Sequence, residues 1–482
     1  MSYTITPQPY RPLEDALPEV APYVLLKTGV VTPRDRWSIL GWDPWCFWMP
    51  TAVADPLREL DALIAQVRRA VPPTDPALPI PLLMGALSYD LGRTIESITA
   101  SADDPWKMPQ AIAYAFRNYL IADEQERRMW SVSVNPRSIV QKPLPRSAGD
   151  AGGRPPDWSR GASARPTLTD LVADSEQRSL EGPAGGRTRQ LEAQRATQVD
   201  GVVISSNFTR PAYLAAVAQI RAMIAAGDCY QVNLSQQCTL STDRSAATIF
   251  RAALQANPAP MMALIDTGAW QIISTSPERL LQKNGATLLS RPIKGTRPRG
   301  MDAVADDRLR AALAASAKDH AELAMIIDLV RNDLGRVAKV GSVAVPEPWV
   351  IETYANVHHL VASVTAEAQP TVPWSALLRA VFPGGSITGC PKVQAMRVIE
   401  QLEGVRRGFY CGSVGYIDVQ GNGDWNIAIR TITLQNGTAV LNLGGGIVYD
   451  SDPATEYDET LQKGATLFAA LGRPPVSTQG DR

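Results

Sequence analysis

A regular hydrophobic pattern appears early in the chain. Leu57, Leu60, Leu63, Ile64 and Val67 recur at spacings of three and four residues, which places their side chains on one face of a helix. The polar residues between them would lie on the opposite face. The pattern therefore predicts an amphipathic surface helix with one buried side.

Three further helices are predicted after residue 200. The first spans 213–226 and is followed by Gly227, a residue that suits the left-handed position after a helix end. The second spans 318–336. Its buried stripe consists of Leu323, Ile326, Ile327 and Val330. The third begins at Asp452, an N-cap residue that is followed by a proline in the first turn.

Strand patterns lie between these helices. The segment YQVNLSQQCTL (230–240) alternates polar and apolar residues, which predicts a β-strand. The segment MALIDTGAWQIISTSPERLL (262–281) predicts a hairpin whose second strand runs into a Ser-Pro-Glu turn. In a chain of 482 residues, these elements suit two or three domains, or one large α/β or α+β unit.

Composition excludes several classes of protein. Hydrophobic residues make up 45% of the chain and charged residues 20%, which is typical of a folded globular protein. The net charge of −1 gives no support for electrostatic binding to nucleic acid or to an anionic membrane. No run approaches 18 apolar residues, and the polar start lacks the apolar core of a signal peptide. The 5 cysteines are never spaced C-x-x-C, which predicts reduced thiols in a cytoplasmic protein.

The same composition divides the chain into three parts. Residues 1–140 are predicted to form an ordered N-terminal segment, and 201–482 a second ordered unit that carries the candidate chemistry. Between them, glycine and proline occupy 13 of the 60 positions of 141–200. Such a segment lacks the apolar area that would offset its ordering entropy. We predict a low-complexity linker or insertion there, with a short helix near 169–180.

Two residues have the character of catalytic groups. Lys294 follows an apolar strand end in SRPIKGTRPRG, and burial would lower its pKa and leave a neutral amine able to act as nucleophile or base. Glu278, in the Ser-Pro-Glu turn, would keep its proton if buried and could act as a general acid. The alternatives are a lysine whose stem packs at a strand end, and a glutamate paired with Arg279 or another arginine.

Three glutamates on helices are candidates for cation binding. Glu322 lies on a mostly apolar helix face, where a carboxylate needs a positively charged partner. Glu456 and Glu459 are three residues apart on the last helix and are neighbours on its surface. Carboxylates from two helices suit Mg²⁺, which takes oxygen ligands and keeps water. The alternative is a solvated acidic first turn, stabilised by the helix dipole.

Nitrogen donors supply candidate contacts to an anion. Gly444, Gly445 and Gly446 could present backbone N–H groups to a carboxylate, although a bulge or a tight turn needs glycines equally. His359 could donate to a substrate or to a buried carboxylate, or could be a satisfied histidine of the core.

Blocks along the whole chain, taken in order, resemble the chorismate-utilising enzymes, and among these the aminodeoxychorismate synthase component I group. The blocks are LSYDLGRTIE (87–96), GDCYQVNLS (227–235), STSPERLL (274–281), RPIKGTRPRG (291–300), AELAMIIDLVRNDLGRV (321–337), HLVASV (359–364), PGGSITGCPKVQAMRVIEQLE (383–403), RGFYCGSVGYI (407–417), NIAIRT (426–431) and GGGIVYDSDPATEYDET (444–460). The resemblance covers nearly everything outside 141–200. It implies an α+β fold of the anthranilate synthase component I type, a layered β/α sandwich with large antiparallel sheets flanked by helices.

The resemblance also implies a role for each candidate residue. Lys294 would attack chorismate at C2, and ammonia would then displace it at C4. Glu278 would protonate the leaving hydroxyl. Glu322 and Glu459 would hold Mg²⁺ against the ring carboxylate. The remaining substrate contacts that it implies are Arg430, Tyr410, Gly444 and Gly446 for the enolpyruvyl carboxylate, and His359 and Ser386 beside the ring.

Two positions distinguish groups within the family. PIKGT, which contains Lys294, is the aminodeoxychorismate pattern, whereas anthranilate synthases resemble PIAGT. Isochorismate and salicylate synthases carry a water-activating lysine at the position of Gln231, and glutamine cannot deprotonate water. The resemblance thus implies synthesis of 4-amino-4-deoxychorismate for p-aminobenzoate and folate, with anthranilate synthase component I or a non-catalytic ligand-sensing relative as alternatives. No Cys-His-Glu set of a glutaminase is visible, so a separate glutamine amidotransferase subunit is expected to supply the ammonia.

Overall fold

The computed structural model describes residues 3–50, 55–71, 78–136, 196–199 and 202–473. The predicted linker 141–200, with its short helix near 169–180, lies outside these residues except for one strand at its end. The division of the chain into 1–140, a linker and 201–482 therefore stays a prediction.

Twenty-one strands within the described residues are connected into one sheet system by antiparallel pairings. They are β1 (Tyr3–Gln8), β2 (Tyr23–Lys27), β3 (Trp37–Trp48), β4 (Pro81–Leu87), β5 (Ala111–Asp123), β6 (Arg128–Val134), β7 (Ala196–Val199), β8 (Val202–Ser206), β9 (Gln231–Ser241), β10 (Met261–Asp266), β11 (Gln271–Ser276), β12 (Arg279–Asn284), β13 (Thr287–Arg291), β14 (Ile293–Pro298), β15 (Ala344–Thr353), β16 (Val357–Glu367), β17 (Gly389–Cys390), β18 (Ser413–Asp418), β19 (Gly423–Asn426), β20 (Thr431–Gln435) and β21 (Thr438–Ile447).

Helices cover the sheet system. Those of the described residues are α1 (Pro56–Ala70), α2 (Leu91–Ile95), α3 (Arg210–Ala225), α4 (Ala246–Ala256), α5 (Ala303–Ala314), α6 (Ala317–Gly335), α7 (Trp374–Val381), α8 (Lys392–Glu403) and α9 (Pro453–Ala470). Three of them pack on strands that carry candidate chemistry or its neighbours: α8 on β9, α9 on β21 and α6 on β14 and β16. None of the helices in the described ranges is long and apolar enough to cross a bilayer.

Strand β5 joins two arms of the sheet. In one arm, β5 pairs with β3, and the order continues through β2, β10, β11, β20, β21 and β9. In the other arm, β5 pairs with β4, and the order continues through β18, β19, β12, β13 and β16, which also pairs with β14 and β15. Because β2 pairs with β10, strands from before residue 140 and from after residue 200 share one sheet.

The helices predicted from hydrophobic spacing are confirmed, with one wrong boundary. The last helix begins where expected, and the Asp452 side chain accepts a hydrogen bond of 2.9 Å from the N–H of Thr455. The predicted helix 213–226 starts three residues earlier, at Arg210. Thr209 caps it by accepting from the N–H of Ala212, and a proline in the first turn costs no hydrogen bond there.

The strand predicted at 230–240 is confirmed as β9, and it is more deeply buried than a strand with one solvent face. In β9, every residue from Gln231 to Cys238 is buried, so the alternation does not mark a solvent face. One face lies beneath α8, where Ser235 donates to Glu403, and on the other face Gln236 donates to Thr460. The polar side chains of Ser235 and Gln236 are thus satisfied by partners inside the protein instead of by water.

Candidate active site

The residues with candidate chemistry come from both arms of the sheet and from two helices. Lys294 lies on β14, and the consecutive glycines 444–446 lie at the end of β21. Glu322 comes from α6 and Glu459 from α9. Electrostatic contacts and close approaches link these groups into one site.

Lys294 is partly buried at the centre of this set. Its Nζ is 3.2 Å from the position that a Cβ atom on Gly446 would occupy, so the amine of β14 reaches the glycines of β21. Burial lowers the pKa of the amine, and the nearby carboxylates of Glu322, Glu278 and Glu459 act in the opposite direction. Within the described ranges, no carboxylate forms an ion pair with Lys294. The amine is therefore available as a nucleophile or base.

Glu278 is a buried carboxyl beside Lys294. It stands in the turn between β11 and β12, where its N–H donates to the Ser276 hydroxyl over 3.1 Å. The Ser386 hydroxyl donates to its Oε1 over 2.6 Å. Burial raises the pKa of Glu278 to about 7, although Ser386 and Lys294 both favour the charged form. The group can hold a proton near neutral pH, as a general acid must.

Arg279 does not neutralise its neighbour Glu278. The Arg279 guanidinium pairs with Asp35 over 2.6 Å and with Asp424 over 2.8 Å. The alternative of a Glu278–Arg279 ion pair is therefore wrong. The physical reason is that Arg279 opens strand β12, whose partner β19 carries Asp424 beside the guanidinium.

Two carboxylates, one from α6 and one from α9, act on the amine of Lys294. Lys318 lies 3.9 Å from Glu322, and Lys463 lies 2.7 Å from Glu459, each four residues away on the same helix. Glu459 is exposed. Partial desolvation opposes its ionisation, but Lys463 and Lys318 hold its pKa below the usual value. Glu459 is therefore a charged carboxylate at physiological pH.

These residues fit a magnesium ion that is shared with a substrate. In the described part of the chain, no cluster of three or more His, Cys, Asp or Glu side chains is arranged as a metal site. Mg²⁺, however, commonly takes only one or two protein carboxylates and completes its shell with water and substrate oxygens. Glu322 and Glu459 supply such a donor set, and the ion pair of Glu459 keeps that carboxylate deprotonated, as a ligand must be.

Glu456 is placed differently from Glu459, although the two are neighbours on α9. Glu456 is buried, and the Ser451 hydroxyl donates to its Oε1 over 2.6 Å. Burial raises its pKa. Its Oε2 is 3.2 Å from the position that a Cβ atom on Gly445 would occupy, so the Glu456 side chain packs against the glycine strand. A solvated acidic first turn is thus a wrong description of Glu456.

The three consecutive glycines form a regular strand end, neither a bulge nor a tight turn. A Cβ on Gly444 would stand 3.0 Å from the Tyr410 hydroxyl, and a Cβ on Gly446 would stand 3.0 Å from the Gln231 amide nitrogen. Beyond Leu441, β21 pairs only with β9 among the described strands, so backbone N–H groups along its other edge are free. Small residues therefore leave room for a ligand at a row of N–H donors.

His359 and Arg430 lie near each other with unused hydrogen-bonding capacity. His359 Nδ1 shares a hydrogen bond of 2.8 Å with the Thr296 hydroxyl, whereas its buried Nε2 has no partner in the described residues. Burial lowers the pKa of His359 to about 3, and Arg430 acts in the same direction, so the ring is neutral. Across the described ranges, no carboxylate forms an ion pair with Arg430. An anionic ligand would satisfy it.

A family model described as chorismate binding enzyme matches residues 37–469. The chain belongs to the chorismate-binding enzyme family. The family resemblance seen in the ordered sequence blocks is thereby confirmed, and the candidate active site lies within the matched region.

Relatives of this chorismate-binding enzyme include aminodeoxychorismate synthases and anthranilate synthases. The chain is 38% identical over 418 residues to the aminodeoxychorismate synthase component 1 of Klebsiella aerogenes, covering 86% of this chain and 82% of the relative. It is 34% identical over 430 residues to the anthranilate synthase component 1 of Pseudomonas aeruginosa, covering 88% and 82%. The crystal structure of anthranilate synthase component I from Streptococcus pneumoniae superposes with a TM-score of 0.69 at 26% identity, covering 91% of this chain and 93% of the other. The predicted α+β fold of this type is confirmed.

Sequence reasoning gave no binding role to two residues at the site of this family member. Both polar atoms of the Gln231 amide are buried without a partner in the described residues, next to Gly446. Lys463 pairs with Glu459 and donates to the carbonyl oxygen of Gly444 over 3.1 Å. The spacing of four between Glu459 and Lys463 on one helix face was visible in the sequence. The position of Gln231 beside the glycines was not, because the pairing of β9 with β21 determines it.

Proposed function

We propose that this enzyme aminates chorismate with ammonia to form 4-amino-4-deoxychorismate. The observation that carries the proposal is that Lys294 and Glu278 lie side by side with oppositely shifted pKa values. Burial lowers the pKa of the Lys294 amine and raises the pKa of the Glu278 carboxyl to about 7. Nucleophile and acid are thereby both biased towards their reactive protonation states near neutral pH. The names of relatives such as the Klebsiella aerogenes protein support the same reaction.

Substrate binding would use the unpaired donors of the site. Chorismate carries two carboxylates, a ring hydroxyl and an enolpyruvyl ether. Arg430, the Tyr410 hydroxyl and the N–H groups of Gly444 and Gly446 would hold the enolpyruvyl carboxylate. The Nε2 atom of His359 and the hydroxyl of Ser386 would lie beside the ring. Arg430 supports this assignment because no protein carboxylate in the described ranges competes for it.

The chemistry would run in two balanced halves. In the first, the Lys294 amine forms a bond to C2, the ring double bonds shift, and the C4–O bond breaks. Glu278 gives its proton to the departing hydroxyl, which leaves as water. In the second half, ammonia forms a bond to C4, the double bonds shift back, and the bond between C2 and Lys294 breaks. The surplus proton of the ammonia nitrogen returns to Glu278.

Magnesium would be held by Glu322 and Glu459. When bound, the ion would neutralise the ring carboxylate of chorismate and so favour attack on the ring. Glu322 and Glu459 would present negatively charged oxygens at a fixed position. Lys318 and Lys463 would balance the charge of these carboxylates until the ion and the substrate bind.

We expect Glu322→Gln and Glu459→Gln each to lower ammonia-dependent turnover by more than about 100-fold, because each removes a charge from the ion. Steady-state assays at several magnesium concentrations, together with calorimetric titration of chorismate with and without Mg²⁺, measure the effect. Asp328→Asn is the matched control, since Asp328 lies on the same helix as Glu322 and, among the described residues, its ion pair is with exposed Arg331. Near-normal turnover with an unchanged magnesium dependence in a glutamate variant would show that its residue is not a ligand.

Ammonia would come from a separate glutamine amidotransferase subunit. The relatives are named as component 1 of their synthases, which supports a two-component enzyme. Ammonium salts should replace the partner in vitro, because the chemistry proposed for this chain uses ammonia itself.

One assay separates this proposal from its alternatives. The protein is incubated with chorismate, Mg²⁺ and ammonium, and an aminodeoxychorismate lyase is then added. We expect p-aminobenzoate only after the lyase is added. Fluorescent anthranilate formed without the lyase would instead identify an anthranilate synthase. This alternative is tested because the chain is 34% identical to the Pseudomonas aeruginosa anthranilate synthase component 1. No turnover of chorismate at all would point to a non-catalytic relative.

A further inference from the structure

A buried ion pair lies next to the proposed carboxylate contacts of the site. Arg407 and Glu403 are joined by two hydrogen bonds, from Nε to Oε2 over 2.9 Å and from Nη2 to Oε1 over 2.6 Å. Each of the two side chains is only 1% exposed. A buried ion pair is by itself weak evidence for stabilisation of the fold, because desolvation of the charges offsets their attraction. The groups that this pair contacts indicate a different role.

The Arg407 guanidinium is held in one orientation. Besides Glu403, it donates to the carbonyl oxygen of Ile387 over 3.0 Å and to the carbonyl oxygen of Asn233 over 2.6 Å. The planar guanidinium reaches these three partners at once, because its N–H groups point in fixed directions. The ammonium of a lysine cannot reproduce this geometry.

Two tyrosine rings lie against this fixed guanidinium. The Cζ atom of Arg407 is 4.7 Å from the ring centre of Tyr89 and 5.8 Å from that of Tyr410, both within the range of a cation–π contact. Burial raises the pKa of the Tyr410 hydroxyl, and the charge of Arg407 acts in the opposite direction. The hydroxyl therefore keeps its proton, and the nearby positive charge makes it a stronger hydrogen-bond donor.

The same ion pair also contacts the strand beside Gly444. Glu403 Oε1 accepts hydrogen bonds from the N–H and the hydroxyl of Ser235, over 2.8 Å and 3.0 Å. Ser235 is the partner of Gly444 in the pairing of β9 with β21. A Cβ on Gly444 would stand 2.8 Å from the Ser235 Cβ and 3.0 Å from the Tyr410 hydroxyl. Glu403 thus fixes one neighbour of Gly444, and Arg407 fixes another.

We infer that Arg407 is a positioning residue of the proposed amination, and that it holds the Tyr410 hydroxyl beside Gly444 to receive the enolpyruvyl carboxylate of chorismate. The inference rests on the proposed function and adds the group that orients one of its substrate contacts. Arg407 would not contact the substrate, because its buried guanidinium is bonded to Glu403 and to two backbone oxygens. Its loss should therefore weaken substrate binding through Tyr410.

The test measures chorismate binding in a Lys294→Ala background, where no adduct can form, by calorimetric titration with Mg²⁺ present. Arg407→Lys keeps the positive charge and loses the planar group, and it should raise the Kd for chorismate about 10-fold, the effect of one lost hydrogen bond to a charged group. Tyr410→Phe should have a similar effect. The two substitutions together should still raise the Kd only about 10-fold, whereas independent residues would give about 100-fold.

Arg93→Lys is the matched control. Arg93 is buried and pairs with Glu400 of α8 over 3.0 Å and with Asp90 over 3.4 Å. Its effect on the Kd, if any, should be independent of Tyr410→Phe. Thermal unfolding checks the folding of each variant.

A second construction keeps the test decisive if Arg407→Lys does not fold. Glu403→Gln combined with Arg407→Met removes both charges, so no unpaired charge stays buried. This double variant should show the same dependence on Tyr410→Phe.

The outcomes separate this inference from the proposed function. Unchanged binding in a folded Arg407 variant, or effects independent of Tyr410→Phe, would overturn the inference and leave the proposed function standing. The same dependence in Arg93→Lys would also overturn it, because general loosening of the core would explain the effect. Unchanged binding in Tyr410→Phe alone would remove Tyr410 from the substrate contacts, and the inference with it. If the wild-type protein forms no aminated product, the proposed function itself is wrong.

Discussion

Wild-type protein incubated with chorismate and Mg²⁺, but without ammonia, is expected to gain the mass of chorismate less one water, and the added mass should map to the peptide that contains Lys294. The physical reason is the lowered pKa of this buried amine next to Glu278, a proton donor for the leaving hydroxyl. Without ammonia, the second half of the reaction cannot occur and the adduct should accumulate. Intact-protein and peptide mass spectrometry measure it.

Two variants make this experiment specific to the site. Lys294→Ala should show no adduct, although chorismate should still bind, because Arg430 and the glutamates remain. Lys283→Ala is the matched control: Lys283 also has a pKa lowered by burial, but its Nζ donates to the backbone oxygens of Gly285 and Gly421. It should keep the adduct at Lys294. Absence of the adduct in a wild-type preparation that turns over with ammonia would rule out covalent catalysis and leave Lys294 as a charge or a base.

Glu278→Gln should lower turnover by about 10²- to 10⁴-fold, the usual contribution of a positioned general acid. The folded pKa of about 7 means that the acid form is present below pH 7 and is lost as pH rises through it. Wild-type kcat/KM should therefore fall on the alkaline side of neutral pH, and the residual activity of the glutamine variant should lack this limb. A pH profile of both proteins measures the difference.

Ser386→Ala provides the matched control for this assignment. The Ser386 hydroxyl donates to Glu278 and lowers its pKa, so removing the hydroxyl should move the alkaline limb to higher pH. If the alkaline fall in kcat/KM is unchanged in both variants, a group other than Glu278 is responsible for it.

The Glu278→Gln substitution should also stabilise the fold in mildly alkaline solution. The pKa of Glu278 is raised from 4.5 to about 7 on folding. Between these values the folded protein binds more protons than the unfolded chain, so the free energy of unfolding falls as pH rises. At pH 8 the ionised, buried carboxylate costs about 3 kcal/mol, which glutamine does not incur. Urea unfolding of both proteins at pH 5 and pH 8 should show the variant gaining relative stability only at the higher pH.

The local sequence pattern was sufficient to predict the helices named from hydrophobic spacing and capping residues. The start of α9 at Asp452 depends only on a capping side chain and a proline in the first turn, both of which act within a few residues. The buried stripe of α6 follows from the helical period alone. Local pattern also predicted the strand β9, but not that both of its faces are buried. Alternation describes which residues share a face, and it cannot tell whether water or α8 covers that face.

The chemistry of the site needed more than local pattern. Sequence reasoning could name Glu278 and Lys294 as candidates, but it left open an ion pair to Arg279. Only the folded chain places Asp35 and Asp424 around that guanidinium and leaves the carboxyl of Glu278 buried beside Ser386. A pKa depends on burial and on neighbours that are distant in sequence, so spacing alone cannot supply it.

By itself, the sequence determined the family, the helices with their capping residues, and the residue types available for chemistry, because these depend on local order and on the ordered blocks. The tertiary structure decided which of these groups meet. It brought Gln231 and Lys294 to the glycines of β21 and the Ser386 hydroxyl to the carboxyl of Glu278. Long-range strand pairing and the packing of α6 against the sheet set these distances. Both join segments that are far apart in the sequence, so no local pattern predicts them.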